Sequence, residues 1–405
     1  MMKYAFRHFS RRPLTNFLLI LQMLVIHVIT VALVSSAASR YEEYAPFRRT
    51  LKGDGYYYNM VTCSDPETGA VYTREALAEK LRGNVSITRI SNIGNAAYPC
   101  DGEWTSEVFT TVQLDDEILN DYPFTLMEGE QIDLKKDYGE LVPVLVSENK
   151  LGYGIGTQIP YKQGDDIMRT AVVVGILKDF ARVPIAVSTS DSDLSVHQFY
   201  TNYSTAVEGK PVLIAPESLF TYQPYSCVFN GMIFIHYPDG ISEEDKAANH
   251  EFLMRYGNGL ALQSMDFQTL RRNSWRYIFA QCLTLLPVAA AVLILCITSI
   301  LSMSALAAKR QIRDYAVYAL CGLPWKFCIR IHAAEMLIST FAAYILTWIG
   351  MILCRPLYED TVIRIGLPQI LSGIIVMAFC MLAALILPRQ LFRRSSLKNV
   401  LQNND

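Results

Sequence analysis

Few residues of this chain are spaced for covalent chemistry. His236 and His250 fall in one candidate strand–helix unit, where a metal would need both rings turned to one point; a surface role is the simpler reading. Gly152-Tyr153-Gly154-Ile155-Gly156 is glycine-rich. It neither opens an amphipathic helix nor keeps the GxGxxG spacing that brings a backbone against a pyrophosphate, so its glycines read as turns. The chain contains no GxxxxGK[ST] phosphate loop, HExxH, GxSxG or paired CxxC. We therefore expect no catalytic residue, no metal, no bound cofactor and no ATP hydrolysis by the chain itself. Of nine Cys, only Cys63, Cys100 and Cys227 lie between the apolar ends of the chain. An odd number makes no disulfide framework, although a Cys63–Cys100 bridge stays open. The polar residues that stand out are Gln22, His27 and Glu335, each within or at the start of a long apolar run. They are candidate intramembrane polar contacts, expected to face another helix because polar groups are costly against lipid; a transport role is the alternative.

The apolar runs holding those residues are the elements that must position them. Residues 14–38 carry no charge and suffice to cross a bilayer, which takes about 20 apolar residues. Residues 276–308 form a second, longer run, part of which is expected to project as a stalk; 331–354 and 366–388 are the third and fourth. The first could be a signal peptide, with Lys3, Arg7, Arg11 and Arg12 before it and the small residues Ser35 to Ser39 after it. Its length exceeds the usual apolar core of such a peptide, so we read it as an uncleaved anchor.

Charge divides the chain the same way. The whole carries 36 Lys+Arg and 38 Asp+Glu, a net of −2, which offers no overall basic field for nucleic acid. From Ala38 to Trp275 there are 20 basic and 33 acidic residues, whereas the remainder has 16 and 5. Lys and Arg favour the cytoplasmic side. They cluster in the amphipathic amino terminus (1–13), in 309–330 and in the tail (389–405), and are sparse in the short loop 355–365. The expected topology is a multi-pass protein of the cell membrane with both termini cytoplasmic and residues 39–275 outside. The acidic outer region suggests either a cationic ligand or plain solubility.

That outer region reads as α+β. Gly55–Thr62 is a strand, Thr73–Leu81 a short helix capped by Thr73, and Val85–Ile90 a second strand. The pattern recurs in Val228–Tyr237, a helix capped at Ser242 and running to about Arg255, and Leu260–Met265. Two strand–helix–strand units flanking a long insert suggest a split α+β subdomain. The insert is mostly β, with Leu141–Ser147 and Ala171–Leu177 as buried strands.

In the basic segment, Ile312, Tyr315, Ala316, Ala319 and Leu320 recur at helical spacing, with Lys309, Arg310, Arg313 and Asp314 largely elsewhere. Gly322 and Pro324 stop the helix. Spacing alone leaves two roles open, docking on another protein or anchoring the loop at the interface. This stretch resembles the FtsX-like permease domain of MacB-type (type VII) ABC transporters. That family shows a basic K/R-x-x-E-I helix, then R-A-L-G-A-S, then an acidic residue at the start of the third span. Arg310–Tyr315, Tyr318-Ala319-Leu320-Cys321-Gly322 and Glu335 stand in those places, with Cys321 and Arg313-Asp314 as departures. Val173-Val174-Gly175-Ile176-Leu177-Lys178-Asp179-Phe180 resembles the V-V-G-V-x-K-D of the family's outer domains.

The resemblance implies four transmembrane helices with a large extracytoplasmic α+β domain between the first and second. It implies a separate ABC ATPase subunit holding ATP and Mg, and a second permease subunit making a homo- or heterodimer. The family works by mechanotransmission, in which ATPase closure moves the outer domain, for export of or resistance to a peptide or antimicrobial. The coupling residues it implies are Arg310, Ile312, Arg313, Ala316, Leu320 and Gly322. Ile312, Ala316 and Leu320 would enter the ATPase's groove, with the arginines at the rim. Further partners are membrane lipids and an extracytoplasmic peptide or protein. Two alternatives remain: an FtsX-type scaffold that regulates a partner such as a cell-wall hydrolase without transport, and a membrane-anchored receptor or sensor.

Overall fold

The computed structural model describes all residues except 1–4, 7–8, 11–12, 61, 64–66, 69–71, 73, 94–95, 106, 150, 163–167, 186–192, 220–228, 259–262, 355–365 and 395–405. The Thr73 cap, most of the amino-terminal tail, Cys227, the short loop and the end of the carboxyl tail lie outside the described residues. The main helices are α1 (Pro13–Tyr44), α2 (Arg74–Lys80), α3 (Glu243–Tyr256), α4 (Phe267–Leu320), α5 (Trp325–Leu353) and α6 (Leu367–Arg394). The chain divides into two compact units. One joins Met1–Arg40 with Ile278–Asp405, and the other is Tyr41–Tyr277.

The main strands of the Tyr41–Tyr277 unit are β1 (Asp54–Met60), β2 (Ser86–Ile93), β3 (Thr110–Leu114), β4 (Leu126–Gly129), β5 (Leu141–Ser147) and β6 (Gln158–Lys162). They continue with β7 (Met168–Leu177), β8 (Ala181–Pro184), β9 (Tyr200–Tyr203), β10 (Val212–Pro216), β11 (Phe229–Tyr237) and β12 (Gln263–Asp266). A 10-stranded sheet runs in the order β12-β1-β11-β2-β3-β10-β5-β7-β4, with β6 on β7, while β8 and β9 pair apart. Its first four strands are all antiparallel. With α2 between β1 and β2, and α3 between β11 and β12, they make the split βαβ arrangement expected from the sequence.

Strand alternation sorts the aromatic residues of β1. Tyr56 and Tyr58 face α2 and α3, with Leu77, Ile87, Ile235 and Leu253. Tyr57 points to the other face, where it stacks on Phe199 at 5.2 Å and meets Phe234 at 5.5 Å. Ser242 Oγ accepts the Asp245 N–H at 3.1 Å, which caps α3 as expected. His236 lies on the Tyr57 face beside Phe267, and its Nε2 is 3.1 Å from Thr88 Oγ1. His250 lies on the helix face, 3.0 Å from the Tyr58 hydroxyl. The two rings do not converge, and they are half-buried rather than on the surface as the sequence suggested.

In the β-rich half, β5 and β10 are buried along nearly their whole length, which is why their sequences are continuous apolar runs. Gly175 in β7 is required by close approach. A Cβ there would lie 2.6 Å from the Glu130 carbonyl and 2.9 Å from Leu145. Gly152 and Gly156 take φ of +77° and +79°, the left-handed turn conformation that favours glycine. Where the halves meet, Glu217 receives Arg89, and also Arg74 at 3.5 Å. Asp115 lies 3.7 Å from Arg74, and burial pushes its carboxyl up to about 6. Cys100 is a free, exposed thiol, so the Cys63–Cys100 bridge is not formed.

In the other unit, α1, α4, α5 and α6 are long and apolar enough to cross a membrane. They pack through an inner seam that includes Leu19, Met23, Ile300, Met336, Ala343 and Ala384. Their outer surface is apolar too: Leu295, Leu353, Ile375 and Leu382 are each about two-thirds exposed or more. A bundle that turns such residues outward is built for lipid rather than water.

Candidate coupling site

Residues 309–320 are the last turns of α4 rather than a separate helix. The helix ends in a Schellman turn. Gly322 takes φ +94°, and the Leu323 N–H bonds back to the Tyr318 carbonyl at 3.0 Å. Pro324 then opens α5, which therefore begins several residues before the start of the apolar run.

The two faces of this helix end differ. Gln311, Tyr315 and Ala316 are buried. Tyr315 packs with Ala308, Cys328, Ile331 and Ala334, with half-buried Ile312 and Tyr318 beside them. Arg310, Arg313, Asp314, Val317 and Leu320 are exposed, and follow one another at helical spacing. Of the three apolar residues expected to enter a partner, Ala316 is therefore committed to the chain's own core and Ile312 is half-committed. Leu320, 64% exposed, is open, and so is Val317, which the sequence reading passed over. Lys326 and Arg330 on α5 add exposed positive charge.

Behind that surface lies a buried polar network. The Gln311 amide donates to Glu335 Oε2 at 2.7 Å, and its Oε1 accepts the Tyr315 hydroxyl at 2.8 Å and His332 Nδ1 at 3.1 Å. Gln311 thus ties the end of α4 to the first turns of α5. Only Glu335 was singled out from the sequence. The signal for the others was the i, i+4 pair Gln311/Tyr315 and the i, i+3 pair His332/Glu335 on either side of the turn. The remaining intramembrane candidates also point inward. Gln22 donates to Ser299 at 2.6 Å, and His27 bonds the Met23 carbonyl at 2.7 Å with its ring 5.8 Å from Tyr344. Among the described residues, no group of three His, Cys, Asp or Glu could hold a metal ion.

The Tyr41–Tyr277 unit has a buried charged site that the sequence did not reveal. Glu43 accepts Arg182 and, at 2.7 Å, His197 Nδ1, while its carbonyl accepts the Tyr200 hydroxyl at 2.7 Å. The His197 ring stacks on Tyr277 at 4.4 Å. These contacts fix the end of α1 to β8 and β9.

No protein-family model matches this chain, and no curated protein matches it. Solved structures do. The periplasmic region of MacB from Actinobacillus actinomycetemcomitans is 12% identical, covering 56% of this chain and 94% of that one, with a TM-score of 0.27. A domain of a putative permease from Porphyromonas gingivalis is 15% identical over 53% and 88%, with a TM-score of 0.24. The extracellular domain of YknZ, a noncanonic ABC-type transporter from Gram-positive bacteria, is 11% identical over 52% and 99%, with a TM-score of 0.27.

Proposed function

We propose that this chain is the permease subunit of a MacB-like ABC transporter, driven by a separate ATPase and acting through movement of its α/β unit. The observation that carries the reading is the exposed strip at the end of α4. Arg310 and Arg313 precede two exposed apolar side chains there, Val317 and Leu320, on a helix end tied to α5 by Gln311 and Glu335. A rigid tip with an apolar centre and charged rim is suited to a groove on a partner, because central apolar anchors carry most of an interface's energy. The absence of a phosphate loop from the sequence is in keeping with hydrolysis by the partner. In this reading two permeases and two ATPases assemble, the strip is cytoplasmic, and the exported or resisted compound is a peptide or antimicrobial.

The test is ATPase activity per mole of inserted permease, with the ATPase that co-purifies with the full chain. Leu320→Asp is expected to cost about 2 kcal/mol of docking, roughly thirtyfold in affinity, with normal insertion. Ile312→Asp is expected to lower the amount of folded chain instead, because Ile312 packs inward. Undiminished stimulation in Leu320→Asp removes the coupling assignment.

A further inference from the structure

The Tyr41–Tyr277 unit is acidic as a whole, yet arginines gather at both its ends. Arg48 and Arg49 follow α1, and Arg271, Arg272 and Arg276 lie in the first turns of α4. Arg49 pairs with Asp121 at 3.3 Å. Arg48, Arg271, Arg272 and Arg276 have no ion pair among the described residues. Two nearby carboxylates are committed elsewhere: Glu43 holds Arg182 and His197, and Asp266 accepts the Thr269 N–H at 2.8 Å. Apart from Glu43, residues 39–50 and 267–277 contain one acidic side chain, Glu42, so the four arginines make a net positive patch.

Aromatic rings lie among them. The ring centre of Trp275 is 5.5 Å from that of Tyr44 and 6.1 Å from that of Tyr41. Arg48 and Arg271 both act electrostatically on the Tyr44 hydroxyl, which places them beside the rings. Along α4, Arg271 stands one turn before Trp275 and Arg272 one turn before Arg276, so the four share one side of the helix. Tyr41, Trp275, Arg48, Arg272 and Arg276 are exposed. Tyr and Trp are enriched at the headgroup level of a bilayer, and the planar guanidinium fork matches a phosphate. The sequence puts the patch at that level, because the charge-free runs end at Ala38 and resume at Tyr277. In the proposed topology these are outer ends, where Lys and Arg are disfavoured, so arginines kept there call for a counter-charge.

We propose that this patch docks on anionic phospholipid headgroups. The guanidinium groups of Arg48, Arg271, Arg272 and Arg276 take the phosphates, while Tyr41 and Trp275 enter the headgroup layer. The anionic fraction of the membrane then sets how firmly these helix ends are held at its surface, since each basic side chain near such a surface adds to the attraction. The proposal rests on α1 and α4 crossing the membrane and not on an ATPase, so its failure and the failure of the coupling assignment are distinguishable.

The full chain is placed in nanodiscs of phosphatidylcholine alone or with phosphatidylglycerol, and amide hydrogen exchange is followed by mass spectrometry. In the anionic discs, exchange in fragments covering 41–52 and 268–277 is expected to slow about threefold or more, a contrast that electrostatic attraction to the lipid accounts for. The paired change Arg272→Gln and Arg276→Gln is expected to abolish most of that difference. Lys135→Gln with Lys136→Gln removes the same charge from exposed positions between β4 and β5 and is expected to preserve it. Equal exchange in the two lipids, or a difference that survives in the arginine variant, would overturn the site. Protection that is the same in both lipids but lost in the arginine variant would assign the patch to a protein partner instead. A chain that does not enter nanodiscs would overturn this proposal together with the membrane reading beneath it.

Discussion

The two units bury opposite chemistries. In Tyr41–Tyr277, Tyr57, Phe199 and Phe234 are sealed inside while charged side chains face outward, apart from paired ones such as Glu43 and Glu217. In the helical unit, Gln311, His332, Glu335 and Gln369 are buried, and Leu295, Leu353 and Ile375 are exposed. The difference teaches which solvent each unit was built for. Burying a polar group costs free energy unless it is bonded, so the helices pair theirs with one another and give their apolar residues to lipid.

The contrast breaks most visibly at exposed leucines. Leu295→Lys is expected to cost about 3 kcal/mol of membrane insertion, the penalty for a basic residue at a span centre. Leu151→Lys, at a half-exposed edge of the α/β unit, is expected to leave the amount of folded chain unchanged. Quantifying membrane-integrated protein for both variants checks this pair, and equal tolerance would mean that the helices are not lipid-facing. A smaller effect follows from Gln311→Leu. It removes the amide donor to Glu335 and the acceptor for Tyr315 and His332, which is expected to lower stability by about 1–3 kcal/mol. The thermal midpoint in detergent should fall, with insertion preserved.

Much of the fold was legible because each solvent writes a different pattern. Long charge-free runs in the sequence coincide with four helices that are long and apolar enough to cross a membrane. Strand Leu141–Ser147 was readable to its ends because nearly every residue in it is buried. Sheet order was not readable, since β2, β3 and β10 become neighbours through contacts far apart in the chain. Glu43 was missed for the same reason, as its partner His197 lies 154 residues away. At the end of α4 the apolar stripe read from the sequence divides between two faces. Tyr315 and Ala316 mark the face buried in the chain itself, and the exposed face holds Arg310, Arg313, Val317 and Leu320. Gln311 went unnoticed because a count of apolar residues passes over a polar group that is buried and bonded.

The most direct measurement of the coupling claim uses thiols the chain already has. Cys321 and Cys354 are both exposed, one at the turn beside Leu320 and the other at the far end of α5. Two variants, each retaining only one of these as its exposed thiol, are labelled in membranes with a maleimide photo-crosslinker. The account predicts that Cys321 captures a protein carrying a GxxxxGK[ST] phosphate loop and that Cys354 does not. Capture of that ATPase from Cys354, or none from Cys321 while the two proteins co-purify, would contradict it.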